Sequence, residues 1–371
     1  MKRRILVVIG TRPEAIKLAP IVRALRAESW AECRVLTTSQ HRQMQDQMLA
    51  FFGLQADRDL DLMQRGQSLA DLTARMISAL DPVLAEERPD LVIGQGDTTT
   101  VMVAALCALY RRIRFAHVEA GLRTGDKWRP YPEEANRSIV SRLADLHFAP
   151  TAGARRNLLA EGIADERVHV VGNTVIDALL WTAGRVDVAK FAPPPGRKLL
   201  LVTAHRRENF DAPLERICGA LRVLADRPDV AVLYPIHPNP QVRPLVERLL
   251  GDHPWITLCE PLDYPDMVAA MQAATLILTD SGGIQEEASA LGKPVLVLRE
   301  ETDRPEAVAA GAAWLVGADH ERIVGAAQRF LDAPAAWVAP PGTLYGDGRS
   351  AQAIVRVLYD ALQRDDQTRS H

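Results

Sequence analysis

Ile5-Leu6-Val7-Val8-Ile9-Gly10-Thr11-Arg12-Pro13-Glu14 opens the chain with an unbroken apolar run, a glycine and a polar turn, and leads into the helical pattern Pro13–Ala27. A half-exposed strand would alternate polar and apolar residues, whereas a run apolar throughout reads as a strand buried on both faces. The reading extends outward along the chain. Val35–Thr38, Leu91–Ile93, Phe115–Val118, Leu146–Ala149 and Val168–Val171 repeat the strand signal. Between them, Leu69–Ala85, Thr98–Tyr110, Glu133–Leu143 and Ala152–Glu161 carry helical spacing. Strands alternating with helices predict a parallel sheet covered on both faces.

The pattern then restarts. Leu199–Val202, Val230–Tyr234, Ile256–Leu258, Thr275–Leu278 and Val295–Leu298 read as strands, with helices at Leu214–Ala225, Gln241–Leu250, Tyr264–Ala273 and Ile284–Leu291. The expected fold class is α/β: two Rossmann-like, doubly wound parallel-sheet domains facing across a cleft. A length of 371 residues suits two domains. The expected division is 1–172, 173–349, and a C-terminal helix over 350–371 free to pack on either domain, the N-terminal one included.

Composition narrows the function classes. With 47% hydrophobic and 25% charged residues and a net charge of −3, the chain reads as globular, with no signal for a nucleic-acid or membrane partner. The basic start Met1-Lys2-Arg3-Arg4 precedes an apolar run too short for a signal peptide, and Val101–Tyr110 stops well short of the ~18 apolar residues of a membrane span. Cys33, Cys107, Cys218 and Cys259 are far apart, without metal-site spacing, and read as reduced. The expected setting is cytoplasmic. Asp57-Arg58-Asp59-Leu60-Asp61 has the D-x-D spacing of metal-dependent sugar transferases but falls in an expected loop, so no metal is assigned.

Ligands of open α/β sheets bind beyond the carboxyl ends of the strands, and several strand ends here carry polar residues. Gly10-Thr11-Arg12, Gly96-Asp97-Thr98 and Glu119-Ala120-Gly121 follow strands of the first half; Thr203-Ala204-His205 and Asp280-Ser281-Gly282-Gly283 follow strands of the second. Ser281-Gly282-Gly283 opening a helix suits a phosphate, which the free N–H groups and the helix dipole attract; a tight turn needing positive φ is the alternative. Glu287 lies one turn into that helix. Arg12, Lys17, His205, Arg206 and Arg304 are the candidate cations for a nucleoside diphosphate. Asp97, Glu119 and Glu133 are the candidate acids and bases; for Asp97 the alternative is helix capping, and for Glu133 an ordinary ion pair with Arg137, four residues on.

Longer strings carry a family resemblance. Gly10-Thr-Arg-Pro-Glu-Ala-Ile-Lys17, Gly96-Asp-Thr-Thr-Thr100, His117-Val-Glu-Ala-Gly-Leu-Arg-Thr-Gly125, Pro132-Glu-Glu-Ala-Asn-Arg137, Thr203-Ala-His-Arg-Arg-Glu-Asn209, Asp280-Ser-Gly-Gly-Ile-Gln-Glu-Glu287, Thr302-Asp-Arg-Pro-Glu-Ala307 and Tyr345-Gly-Asp-Gly348 closely resemble non-hydrolysing bacterial UDP-N-acetylglucosamine 2-epimerases. They run in order over nearly the whole chain. The resemblance implies a glycosyltransferase-B-like fold, a homodimer, and interconversion of UDP-GlcNAc and UDP-ManNAc with no cofactor, feeding envelope polysaccharide synthesis. It links Asp97, Glu119, Glu133 and His205 to catalysis, and Arg12, Lys17 and Arg137 to the substrate. It assigns Ser281, Gly282, Gly283, Glu287 and Arg304 to the UDP, with uracil contacts at Leu262 and Met267. It also implies an allosteric UDP-GlcNAc site that Gln40, Gln43 and His237 match in part; Arg65-Gly66 stands, shifted, where some members carry an arginine. The reaction implied is elimination of UDP to a 2-acetamidoglucal followed by re-addition. A sugar transferase of the same fold and a non-catalytic UDP-sugar sensor are the rival readings.

Overall fold

The computed structural model describes residues 2–38, 42–62, 66–206, 209–302, 304–333, 337 and 344–369, the side chains of 42–45 and 364–369 excepted. Contacts divide the chain into two units, 1–178 with 346–371, and 179–345.

In the first unit the strands are β1 (Arg3–Ile9), β2 (Ala31–Thr37), β3 (Arg58–Asp59), β4 (Leu91–Gln95), β5 (Arg114–Val118), β6 (Leu146–Ala149) and β7 (Val168–Val170). Among the described residues they form one sheet ordered β3-β2-β1-β4-β5-β6-β7. Every pairing is parallel, β1 lying between β2 and β4 with Val7 opposite Val35 and Ile93. The helices are α1 (Arg12–Arg26), α2 (Arg42–Phe51), α3 (Leu69–Glu87), α4 (Thr99–Tyr110), α5 (Glu133–Leu143), α6 (Ala152–Ala160) and α7 (Thr174–Ala183), within which the first division of the chain falls. Val7, Val8 and Ile9 are wholly buried, as the apolar run requires; burying each such side chain is worth roughly 1.5–3 kcal/mol.

The second unit repeats the plan with β8 (Lys198–Thr203), β9 (Val230–Pro235), β10 (Ile256–Cys259), β11 (Leu276–Thr279), β12 (Val295–Val297) and β13 (Ala313–Leu315). Their order is β10-β9-β8-β11-β12-β13, again parallel throughout. Its helices are α8 (Ala212–Ala225), α9 (Arg243–Leu250), α10 (Tyr264–Ala273), α11 (Gly282–Ala290), α12 (Pro305–Ala309) and α13 (His320–Asp332). The chain then returns to the first unit as α14 (Ser350–Arg369). Asp177 on α7 accepts from Ser350 N (3.2 Å) and Ala351 N (2.8 Å), supplying the partners that the first turn of α14 lacks. Arg3 and Arg114 donate to the carbonyls of Leu362 and Ala361, and Tyr359 meets Trp30 edge-on at 5.3 Å.

Both sheets reverse their winding once, between β1 and β4 in the first unit and between β8 and β11 in the second. Such a reversal leaves a crevice at the carboxyl ends, where neighbouring helices depart to opposite sides. Gly10 serves the first crossing: a Cβ there would lie 2.3 Å from Thr100 Oγ1, so α4 approaches β1 this closely only against glycine.

Candidate active site

The first reversal point is lined with acids held by specific donors. Glu119 follows β5 with φ +62, a left-handed conformation that costs a non-glycine residue on the order of 1–3 kcal/mol and is concentrated at functional sites. Its side chain is buried and accepts from Lys17 Nζ at 2.8 and 2.6 Å, Asn173 Nδ2 at 3.1 Å, and Gln95 Nε2. A carboxylate ending a buried strand needs such partners. The sequence strings contain Lys17 but not Gln95 or Asn173 in any role.

Asp97 follows β4, and its alternative as a helix cap is removed. The N-cap of α4 is Thr98, whose hydroxyl accepts from Val101 N. The Asp97 carboxylate instead accepts from Arg137 Nη2, while Asn136 Nδ2 donates to the Asp97 carbonyl at 2.9 Å. The alternative for Glu133, an ion pair with Arg137, is likewise replaced: Arg137 reaches Glu134 Oε2 at 3.1 Å and Asp97, because the buried side of α5 presents the second glutamate to it. Glu134 Oε1 also accepts from Thr124 N and Gly125 N (3.1 and 3.2 Å), securing the loop before α5. Pro132 is the N-cap residue of α5 rather than its first helical residue. Glu133, in the first turn, is left with a buried Oε2 that has no hydrogen-bond partner. A buried carboxylate oxygen in that state is costly and uncommon.

Sequence reasoning gave no role to Glu14. It closes a capping box with Thr11 and accepts from Thr11 N at 3.2 Å, from Gly10 N, and from Thr98 Oγ1 at 2.6 Å. One carboxyl thus ties the turn after β1 to the turn after β4. Burial raises its pKa to about 7, against the lowering effect of those donors. The signal was the T-x-x-E spacing of a capping box in Thr11–Glu14. His117, also unforeseen, is fully buried and donates Nε2–H to Gly96 O at 2.7 Å; burial lowers its pKa to about 4. Arg12 is the first residue of α1 and exposed.

The second unit has its polar groups at its own reversal point. Thr203 and Thr279, paired across β8 and β11, share a hydroxyl hydrogen bond of 2.6 Å. Beyond them stand His205, exposed, and Asp280, wholly buried. Ser281 is the N-cap of α11 and makes no side-chain cap bond, leaving the first-turn amides without that partner. Gly282 and Gly283 are the first helical residues and neither has positive φ, which removes the tight-turn explanation for them. A Cβ on Gly283 would meet nothing within 4 Å. The space beside the amides is open, as an anion site requires.

Arg304, the N-cap residue of α12, is buried and its Nε binds Glu286. Glu287 is buried beside Tyr264, whose phenol is pushed well above its usual pKa by burial and by that carboxylate. Leu262 and Met267 are half-buried, before and within α10. His237 is exposed and stacks on His205 with ring centroids 5.7 Å apart. Gln40, Arg65 and the side chain of Gln43 lie outside the described residues. Among the described residues no cluster of His, Cys, Asp or Glu has the arrangement of a metal site, and no helix is long and apolar enough to cross a membrane. Asp57 of the D-x-D string accepts from Val35 N (2.7 Å) and Arg26 (2.8 Å), an edge-of-sheet role.

Known proteins share this plan. The family model described as UDP-N-acetylglucosamine 2-epimerase matches residues 23–359. The UDP-N-acetylglucosamine 2-epimerase of Salmonella typhimurium is 48% identical over 96% of this chain and 98% of its own; that of Campylobacter jejuni is 43% identical over the same shares. The crystal structure of UDP-GlcNAc 2-epimerase from Neisseria meningitidis bound to UDP-GlcNAc superposes with a TM-score of 0.89 at 42% identity, covering 96% of this chain and 100% of that one. A glycotransferase of kitacinnamycin, 16% identical with a TM-score of 0.63 over 96% of this chain and 99% of its own, shares the fold alone. The two-sheet α/β plan is thus the glycosyltransferase-B-like one, and the chain is an enzyme that belongs to the UDP-N-acetylglucosamine 2-epimerase family.

Proposed function

We propose that this enzyme interconverts UDP-N-acetylglucosamine and UDP-N-acetylmannosamine by eliminating UDP and adding it back. C2 of the sugar has no neighbouring carbonyl, so enolisation cannot invert it. In the elimination, the C2 hydrogen leaves as a proton, the C1–O bond breaks with its electron pair passing to the β-phosphate oxygen, and a C1=C2 double bond forms. Re-addition returns UDP to C1 and a proton to the opposite face of C2. The α11 start at Ser281, Gly282 and Gly283 receives the diphosphate, with Arg12, His205 and Arg304 supplying positive charge or donors. Glu287, Leu262 and Met267 hold the nucleoside. Asp97, Glu119 and Glu133 supply the acid–base groups for the two faces of C2, with Lys17 and Arg137 keeping the first two in place.

The observation that carries this reading is the acid set of the first unit: a strained, triply held Glu119 and, in the same unit, a Glu133 whose buried Oε2 has no partner among the described residues. A sensor that binds without chemistry would not need two such carboxylates. The same reading takes the enzyme to be a cytoplasmic homodimer that needs no cofactor and serves polysaccharide synthesis, with His237 in an allosteric UDP-GlcNAc site.

Incubation with UDP-GlcNAc alone in D2O tests it. The expected product is UDP-ManNAc carrying deuterium at C2. Unchanged substrate would point to the transferase or the sensor, free ManNAc with UDP to hydrolysis, and complete retention of the C2 hydrogen would rule out elimination.

A further inference from the structure

Asp280 is wholly buried, and its two oxygens are used differently. Oδ2 accepts from His205 N (2.8 Å), Arg206 N (2.9 Å) and Asn209 Nδ2 (3.0 Å). Asn209 is itself fixed by donation to Leu298 O at 3.0 Å. Oδ2 therefore has all the donors it can take, and the turn after β8 is locked around it. Oδ1 is buried, accepts no hydrogen bond from the described residues, and lies 3.2 Å from Nδ1 of His205. A buried carboxylate oxygen without a donor is costly. Nδ1–H of His205 is a donor within reach of it.

The His205 side chain is 41% exposed. His237 stacks on the ring face, its plane 19° from parallel. The His237 Nδ1 accepts from Asn239 N at 3.3 Å, so its neutral ring carries the proton on Nε2.

We propose that Asp280 is a positioning residue that fixes His205 in the tautomer with hydrogen on Nδ1, so that Nε2 alone faces the departing diphosphate. The role rests on the reaction proposed above. In the elimination direction Nε2–H of the imidazolium donates to the β-phosphate oxygen as that oxygen takes the C1–O electron pair, and Nε2 takes the proton back on return. A carboxylate behind the ring steadies the charged form and fixes which nitrogen works. Asp280 touches no substrate in this scheme; it acts through His205.

The test reads the ring directly. In the protein labelled with 15N-histidine, with His205 assigned by comparison with His205→Gln, the neutral ring is expected to carry hydrogen on Nδ1. In Asp280→Asn, the amide oxygen must stay with the three donors of Oδ2. The amide nitrogen then faces Nδ1, and the ring is expected to switch to hydrogen on Nε2. Turnover per folded molecule, the folded fraction being measured by circular dichroism, should fall by about 100-fold or more with KM changed only a few-fold. A proton on Nε2 in the unaltered enzyme, the same tautomer in both proteins, or near-normal turnover of Asp280→Asn would overturn the proposal. If Asp280→Asn does not fold, the spectrum of the unaltered enzyme decides alone. An Nδ1–H ring in a protein that leaves UDP-GlcNAc untouched would support the Asp280–His205 arrangement and overturn the reaction.

Discussion

At the residue scale, what separates the acids of the first unit is the company each keeps. Glu119 faces a lysine and two amides, Asp97 an arginine, and Glu14 no cation at all, only a hydroxyl and backbone N–H groups. Glu119→Gln keeps the shape but removes the charge that Lys17 neutralises. It should reduce turnover by about 100-fold or more while UDP affinity, measured by calorimetry, stays within a few-fold; near-normal turnover would remove Glu119 from the chemistry. The buried histidines set a pH limit. In the folded protein burial lowers the pKa of His117 to about 4 and that of His147 to about 3, from the ordinary 6.5. The stability they contribute is complete above pH 6.5 and is lost as pH falls toward those folded values, by about 3 kcal/mol for His117 and about 5 kcal/mol for His147. Denaturant unfolding at a series of pH values should show that decline, and His147→Leu should make it shallower.

At the element scale, two helix starts use glycine for opposite reasons. The Gly10 position has no room for a Cβ, which would collide with Thr100 at the head of α4. Gly10→Ala should therefore destabilise the fold by about 1–3 kcal/mol. Gly283, in the first turn of α11, has room. Gly283→Ala should leave the melting temperature unchanged or slightly raised yet weaken UDP binding at least several-fold, because the added methyl enters the space beside the amides. Unaltered UDP affinity in that variant would mean that the anion sits elsewhere. The contrast was invisible in the sequence, where both glycines simply follow a strand and precede a helix.

At the scale of the whole molecule, α14 belongs to the unit it left long before in sequence. Leu358 of α14 is wholly buried, and Asp177 supplies the acceptors for the helix start. Leu358→Ala should cost the first unit about 2–5 kcal/mol. Hydrogen exchange should then show lost protection in β1 and α1 with β8 and β11 unaffected. Equal loss in both sheets would mean that the two units unfold as one.

Much of the fold was legible because its signals are local. Buried strands declare themselves by unbroken apolar runs, as in Ile5–Ile9 and Leu199–Val202, and helix starts by short-range chemistry, as at Thr11-Arg12-Pro13-Glu14. β3 and β13, of two and three residues, were too short to show a pattern. α2, α7, α12 and α13 are not read from the sequence pattern. By itself the sequence determined the alternation of elements, the restart that makes a second sheet, the family, and the placing of Asp97, Glu119, His205 and Ser281 just after strands. Only the tertiary structure decided that β1 lies beside β4 and β8 beside β11. It alone gave Arg137 to Glu134 and Asp97 rather than to Glu133, and Asn173 to Glu119 across 54 residues. The reason is physical: hydrophobic period and capping act within a few residues, whereas the partner of a buried charge is whichever group folding brings within hydrogen-bond reach, at any distance along the chain.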